Sequence, residues 1–220
     1  MKRLLKTEYF KLLKSFSFWL LIALSIEEGI LYGIAPVLYA SSVTGYDMYV
    51  LRLSQMRLNL VLIGVFAASF LCSEFVNHTF VLSFLCGFSR WQIYLAKVIV
   101  FFTGVLPIIL SHVITATIVV TADKGFGIPF DYMLLVEMIS RMVRYLSDVF
   151  AMGSYLFFTA FFIRNPVGTF GIGVCLSYLY LVLSTGFQVV SLWIYLAVSI
   201  SGISVLLFVT AFYFEKCDLF

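Results

Sequence analysis

Two adjacent carboxylates, Glu27 and Glu28, fall inside a long apolar stretch of the sequence and are the first candidates for chemistry. The stretch begins near residue 16, so at about 1.5 Å per helical residue the two side chains lie roughly 17 Å along it, near the middle of a bilayer. A charged residue at that depth costs at least about 2.5 kcal/mol, which disfavours contact with lipid. We expect the pair to line a path for a cationic or amphipathic molecule. The alternative is pairing with Arg52, Arg57 or polar groups of another helix.

A second group of charged residues borders the segment 74–92. Glu74 closes one apolar stretch, and Arg90 and Lys97 open the next. Between them, residues 80–86 are too apolar to be exposed to cytosol and too few to cross a bilayer. A loop of this length is normally polar, so we expect the membrane interface or a partner protein to cover the segment.

The composition is that of an integral membrane protein. Hydrophobic residues make up 63% of the 220 residues, charged residues make up 11%, and the mean hydropathy is +1.09. A soluble domain of this size leaves about a third of its unfolded surface exposed and has no room to bury so much apolar surface. The composition therefore excludes a cytosolic enzyme, a nucleic-acid-binding protein and a secreted disulfide scaffold. The 4 cysteines and 2 histidines have no metal-ligand spacing, and we predict no metal site and no catalytic residue.

Six apolar stretches are long enough to cross a membrane as helices, and they do not alternate as strands of a barrel would. They predict an all-α membrane protein with a single transmembrane domain over residues 1–220. Lys and Arg residues are more numerous on the side of the N-terminus, which places both termini in the cytoplasm. The predicted spans are 16–39, 58–76, 93–121, 145–163, 167–185 and 192–214.

The residues before the first span form a basic amphipathic segment, 1–14. On a helical wheel, several apolar residues share one face, and the opposite face holds Arg3, Thr7, Lys11 and Lys14. We expect an interfacial helix on the inner leaflet, where the lysines also set the topology. The apolar face includes Leu5, Tyr9, Leu12, Leu13 and Phe16.

The longest external segment is predicted over residues 122–144. It opens with turn residues and continues as an amphipathic helix, in which Glu137 and Arg141 are spaced as an i,i+4 ion pair. Arg144 and Asp148 have the same spacing. We interpret the segment as a surface helix that covers the outer mouth of the bundle.

Several short motifs together resemble the ABC-transporter type-2 permeases. One is the basic helix before the first span, and another is the turn formed by Arg164 and Asn165 between the fourth and fifth spans. His78 departs from the family pattern, which often has Gly there. The remaining motif residues are Glu74, Thr79, Ser89, Arg90 and Lys97 in the segment after the second span, and Phe214 to Leu219 at the end of the sixth.

The resemblance implies a six-span permease subunit that pairs with a second copy or with a related permease in a bacterial plasma membrane. The segment 74–92 is then similar to the coupling helix, which docks on a cytoplasmic ATPase that binds ATP and Mg²⁺. Many short members of this family export peptides, lantibiotics or hydrophobic drugs, or confer immunity to them. The coupling residues implied in this chain are Glu74, Phe80, Phe84, Arg90 and Lys97.

The chain has no GxxxxGK[ST] motif, so we expect ATP hydrolysis to come from another chain and this one to be a non-enzymatic subunit. The glycine-rich stretch 168–173 lies inside an apolar span and lacks the lysine. We assign it to close helix packing, together with Gly64/Ala68 and Gly173/Ser177 at small-xxx-small spacing.

Two alternatives remain open. An autonomous carrier coupled to protons or ions would use Glu27, Glu28 and Asp148 as proton sites. An intramembrane hydrolase would use Ser204, in a G-x-S sequence, with His112 as the base. Dependence of the activity on a separate ATPase distinguishes the permease from both.

Overall fold

A computed structural model describes residues 1–39, 43–55, 57–77, 85–185 and 191–216. Within these ranges the chain is helical and has no strand, and six helices are long and apolar enough to cross a membrane. The predicted helical fold with six candidate spans is therefore confirmed. This is the architecture of a multi-pass membrane protein.

The helices are numbered here in chain order. The second candidate span consists of the helix Arg57–Ala67, a π-helical segment and the short helix Ser73–Val76, which follow one another without a break. The bounds are α1 (Lys2–Lys14), α2 (Phe16–Tyr39), α3 (Gly45–Ser54), α4 (Arg57–Ala67), the π segment (Ala68–Cys72), α5 (Ser73–Val76), α6 (Arg90–Lys124), α7 (Tyr132–Ile163), α8 (Pro166–Thr185) and α9 (Leu192–Lys216).

Helix α7 is longer than the predicted fourth span. The amphipathic helix predicted outside the membrane and the span itself form one continuous helix, because residues 132–152 contain no Gly or Pro that would end it. The Asp131 side chain accepts a hydrogen bond from the Tyr132 backbone N–H at its start. The predicted ion pair between Glu137 and Arg141 is present, with Nη2 and Oε1 2.7 Å apart.

The connection between the first two spans contains a helix, α3, that the sequence analysis did not predict. A capping box starts it, in which Thr44 Oγ1 accepts from the Asp47 N–H at 3.4 Å and Asp47 Oδ2 accepts from the Thr44 N–H at 3.0 Å. Two backbone bonds tie its start to the end of α6: Gly45 N–H donates to Gly125 O, and Tyr46 N–H donates to Phe126 O, both at 3.1 Å. These contacts close the end of the bundle opposite α1.

Helix α2 packs closely along α6 through two glycines one turn apart. A Cβ atom at Gly29 would lie 1.8 Å from Thr115 Oγ1 and 2.8 Å from His112 O, and a Cβ at Gly33 would lie 2.8 Å from Val119 Cβ. The small residue at each position lets the two backbones approach.

The close helix packing predicted at Gly64 and Gly173 is confirmed. A Cβ at Gly64 would lie 2.9 Å from Val174 of α8, and one at Gly173 would lie 2.6 Å from Thr159 of α7. Gly171 differs, since no atom lies within 4 Å of a Cβ added there.

Replacing Gly29 with Ala should destabilise the bundle, since the new methyl group must displace Thr115 and the backbone of α6. Overpacking of this kind costs about 1–3 kcal/mol. We expect a lower thermal midpoint for Gly29→Ala in detergent, measured by the loss of circular dichroism on heating. Gly171→Ala is the matched control and should leave the midpoint unchanged or slightly higher. Equal midpoints for the two variants would contradict the close approach of α2 to α6.

Candidate functional site

Four charged side chains from three separate segments converge at the end of the bundle that contains α1. Glu8 and Lys11 lie on α1, Glu74 lies on α5, and Lys97 lies on the second turn of α6. We call these four residues the ionic cluster. It brings together the two segments that flank residues 78–84 and joins both to the N-terminal helix.

Each charge in the ionic cluster meets two charges of the opposite sign. Lys11 Nζ lies 2.8 Å from Glu8 Oε1 and 3.2 Å from Glu74 Oε1. Lys97 Nζ lies 2.5 Å from Glu74 Oε1 and also donates a hydrogen bond to Glu8 Oε2. The two carboxylates and two ammonium groups balance, which is the condition under which charges are stable away from water.

Burial distinguishes this cluster from a surface salt bridge. Lys97 is 1% exposed and Glu8 2%, whereas the Lys11 side chain remains 43% exposed. The Lys97 ammonium group also lies 5.1 Å from the centre of the Phe70 ring, a cation–π distance. The ion pairs of Lys97 are therefore shielded from solvent, and Lys11 closes the cluster on the water side.

The face that α1 presents to the bundle explains why Glu8 is inside. Leu4, Glu8 and Leu12 are its buried residues, and they follow at intervals of four, one above another on one side of a helix. Leu13 and Phe16, which the wheel placed on the apolar face, are exposed. The buried face of α1 is thus centred on a carboxylate between two leucines.

The π-helical segment sets the direction in which Glu74 projects. A π turn contains one residue more than an α turn, so it shifts the side chains that follow it around the helix axis. Here it ends at Cys72, whose Sγ lies 3.1 Å from Thr169 Oγ1 of α8, and Glu74 follows in the next turn. The wide turn therefore positions the Glu74 carboxylate where it meets Lys97 and Lys11.

The ionic cluster favours the charged forms of its members on α1. Burial by itself would raise the pKa of Glu8, but the ammonium groups of Lys97 and Lys11 outweigh it and hold this pKa below its usual value. Burial would likewise lower the pKa of Lys11, but the carboxylates of Glu74 and Glu8 outweigh it and raise that pKa.

The remaining predicted coupling residues are placed as follows. Arg90 begins α6, and its Nη1 donates a hydrogen bond to Glu215 O, 2.8 Å away near the end of α9. Phe80 and Phe84 lie outside the described residues, as do His78 and Thr79. The structure thus joins Glu74 and Lys97 directly and places Arg90 apart, against the last helix.

Glu27 and Glu28 take different positions on α2. Glu27 is exposed on the surface of the chain, and Glu28 is partly buried. Arg52 of α3 is the described charge that acts on Glu28, and its guanidinium carbon lies 4.1 Å from the centre of the Tyr32 ring. Glu28 therefore lies within electrostatic reach of Arg52, a partner that the alternative interpretation named. Glu27 is exposed and faces away from its own bundle.

The polar residues of the two alternative functions are also separated. His112 Nδ1 lies 2.7 Å from Ile109 O, and Ser204 Oγ donates to Ile200 O at 2.8 Å, so each bonds to its own helix. Asp148 Oδ1 accepts hydrogen bonds from the hydroxyl groups of Tyr180 and Tyr195. Within the described ranges, no three His, Cys, Asp or Glu side chains are grouped so as to hold a metal ion.

The sequence analysis did not identify Glu8 as a site residue. It is the one acidic residue in the segment 1–14 and lies between Leu4 and Leu12 at helical spacing. An acidic residue on the apolar face of a basic helix is the signal that indicates a buried cationic partner.

Comparison with protein-family profiles and with curated proteins finds no match for this chain.

Replacing Lys97 with Met should release α1 from the bundle, because it leaves Glu8 and Glu74 side by side with Lys11 alone. Removing one partner of a buried ion pair costs about 3–5 kcal/mol. We expect faster proteolysis within α1 and a lower thermal midpoint for Lys97→Met. Lys6→Met, an exposed change on the same helix, is the control and should behave as the unmodified protein does. The double variant Glu8→Gln/Lys97→Met should lose less free energy of unfolding than the two single variants lose together, because the two residues pair with each other.

The stabilisation by Glu8 should depend on pH. Since its pKa is lowered on folding, its contribution is complete above the ordinary value of 4.5 and is lost as the pH falls through the lower value in the folded protein. We expect the difference in thermal midpoint between the unmodified protein and Glu8→Gln to be constant from pH 7 to about pH 5 and to shrink in more acidic buffer. A difference that grew as the pH fell would contradict this assignment of charge.

Proposed function

We propose that the chain is the transmembrane permease subunit of an ATP-powered ABC exporter. A separate cytoplasmic ATPase docks on the segment 74–92 and supplies the hydrolysis. The observation that carries the proposal is the ionic cluster, in which Glu74 and Lys97 from the two sides of this segment pair with each other, and Lys97 also pairs with Glu8 of α1. A force on the segment would reach α1 and α6 through the same four charges.

The cluster supports a mechanism in which the end of the bundle moves as a unit. ATP binding closes two ATPase subunits, and their motion displaces the segment 74–92. Because Glu74 and Lys97 are ion-paired, the last turn of the second span and the start of α6 move together, and Glu8 brings α1 with them. The permease then alternates between inward-facing and outward-facing states. Glu74 and Lys97 act in this mechanism as positioning residues, since both are buried from a docking partner.

The position of Glu27 supports pairing of two permeases. A carboxylate within a span normally faces a bundle interior or a water-filled cavity. Glu27 is instead exposed on α2, a helix that contributes few buried residues to its own bundle. A second copy or a related permease against α2 would enclose Glu27 at the interface. Glu27 would then line a central path suited to amphipathic or cationic peptides and to hydrophobic drugs.

The first test is purification of the tagged chain from its native membrane under mild conditions, with mass spectrometry of the proteins that accompany it. We expect a cytoplasmic ATPase in stoichiometric amount, and either only this chain or one further six-span protein beside it. A stable preparation without any ATPase would overturn the proposal and favour an autonomous carrier.

The docking segment is tested by comparing two variants that each introduce a carboxylate. Phe84→Asp should abolish copurification of the ATPase, because an apolar side chain that inserts into the partner becomes charged. Phe130→Asp changes an exposed ring near the start of α7, at the opposite end of the bundle, and should retain the ATPase. If both variants retain it in normal amount, the ATPase docks elsewhere.

The mechanical connection is tested by Glu8→Gln. This variant should retain the ATPase but reduce the amount of substrate transported for each ATP hydrolysed.

A further inference from the structure

An apolar cavity of about 330 Å³ lies between α7, α8 and α9, away from the ionic cluster and from the α2 surface. Its volume is at the lower end of the range for small-molecule sites, about 300–1,000 Å³. Three tyrosines and several aliphatic side chains line it. Those that matter here are Tyr155, Tyr180, Leu183, Tyr195, Val198 and Gly202.

The cavity opens toward the bilayer. Leu183 of α8 and Val198 of α9 line it, and they are 61% and 60% exposed on the surface of the chain. Both helices are candidate spans, so the surrounding medium at this height is lipid. A ligand that enters from this side must therefore be soluble in the membrane.

A buried carboxylate lies behind two of the tyrosines that line the cavity. Asp148 of α7 is 6% exposed, and its Oδ1 accepts hydrogen bonds from Tyr195 and, at 3.3 Å, from Tyr180. The same two tyrosines line the cavity, so their hydroxyl groups stand between the apolar space and the charge. Arg144 lines a neighbouring polar cavity with Asp148, and its guanidinium carbon lies 5.8 Å from the centre of the Tyr195 ring.

A second, polar cavity of about 440 Å³ is lined by Asp148 itself and shares Tyr195 with the first cavity. Arg141 and Arg144 line it, and it extends toward the end of the bundle that holds α3. Asp148 thus borders the polar cavity directly and is separated from the apolar cavity by the side chains of Tyr180 and Tyr195, which bond to it.

We propose that the apolar cavity binds a hydrophobic amine, whose hydrocarbon part fills the space between α7, α8 and α9 and whose ammonium group reaches Asp148. A cation stabilises a buried carboxylate more than a further neutral donor does, because the hydrogen bond between two charged groups is the stronger one. A primary ammonium group has three donors, enough to bond Asp148 and the oxygen atoms of Tyr180 and Tyr195 together. The opening toward the bilayer admits ligands with a hydrocarbon part, and the carboxylate favours those with a positive charge.

This site belongs to a single chain, whereas the path at Glu27 requires two. The inference concerns binding and does not depend on the ATPase, so the isolated protein is sufficient for the test. Failure here would leave the exporter proposal standing, and a missing ATPase would leave this site intact.

The experiment uses the full chain in nanodiscs and a photoactivatable long-chain primary amine, with the corresponding alcohol as the uncharged probe. We expect saturable labelling of peptides from α8 and α9 by the amine, and competition by unlabelled amine. Asp148→Asn should weaken binding of the amine by about tenfold, since a charge-assisted contact is lost. It should leave the weaker binding of the alcohol unchanged. Asp123→Asn, an exposed aspartate at the end of α6, is the matched control and should have no effect.

A second pair of variants tests the cavity by volume. A Cβ added at Gly202, which lines the cavity, or at Gly171, which does not, meets no atom within 4 Å, so both positions accept a larger side chain. Gly202→Phe should abolish labelling by both probes, and Gly171→Phe should retain it. Equal affinity of the amine for Asp148→Asn and the unmodified chain, or labelling that Gly202→Phe does not reduce, would overturn the proposal.

Discussion

The contact between Glu8 and Lys97 is the interaction on which the arrangement of the α1 end depends. Both side chains are almost completely buried, and each would be a large cost to the fold without the other. Leu4 and Leu12 alone would bind α1 to any apolar surface, including the boundary between lipid headgroups and acyl chains. The carboxylate between them restricts α1 to the one place where Lys97 and Lys11 face it. The charge of Glu8 thus specifies where α1 binds, while burial of the two leucines supplies the hydrophobic stabilisation.

The two ends of the bundle are held together by different kinds of contact. At the α3 end, backbone hydrogen bonds join Gly45 and Tyr46 to the turn after α6, and the capping box orders the helix locally. At the α1 end, the segments are joined by side-chain charges. Backbone bonds with short reach favour a single geometry, whereas long lysine side chains can keep an ion pair through small displacements. This difference supports the proposed mechanism, in which the α1 end transmits movement and the α3 end stays fixed.

The six spans could be predicted because each is a continuous apolar run, a property of consecutive residues that needs no tertiary information. Helix α3 was missed because its sequence is too polar and short for a span, although Thr44 and Asp47 carry the spacing of a capping box. The extension of α7 was missed because charges at Glu137 and Arg141 suggested a separate surface helix. The ionic cluster is a different case. Glu74 and Lys97 were selected from the charges that flank one segment, but Lys97 also pairs with Glu8, which is 89 residues away in the sequence, and no local pattern encodes such a contact.

The buried carboxylates of this chain can be ordered by what surrounds them, and the order separates structural from binding roles. Glu8 and Glu74 each meet two lysines, so their charge is fully compensated within the fold. Asp148 instead accepts bonds from tyrosine hydroxyl groups, which stabilise a negative charge without neutralising it. A carboxylate compensated by lysines offers little to an incoming cation, since binding would displace an existing ion pair. A carboxylate bonded to hydroxyl groups that line a cavity can gain a cation without losing an ion pair, and this is the physical basis on which we propose ligand binding at Asp148 and mechanical connection at Glu8.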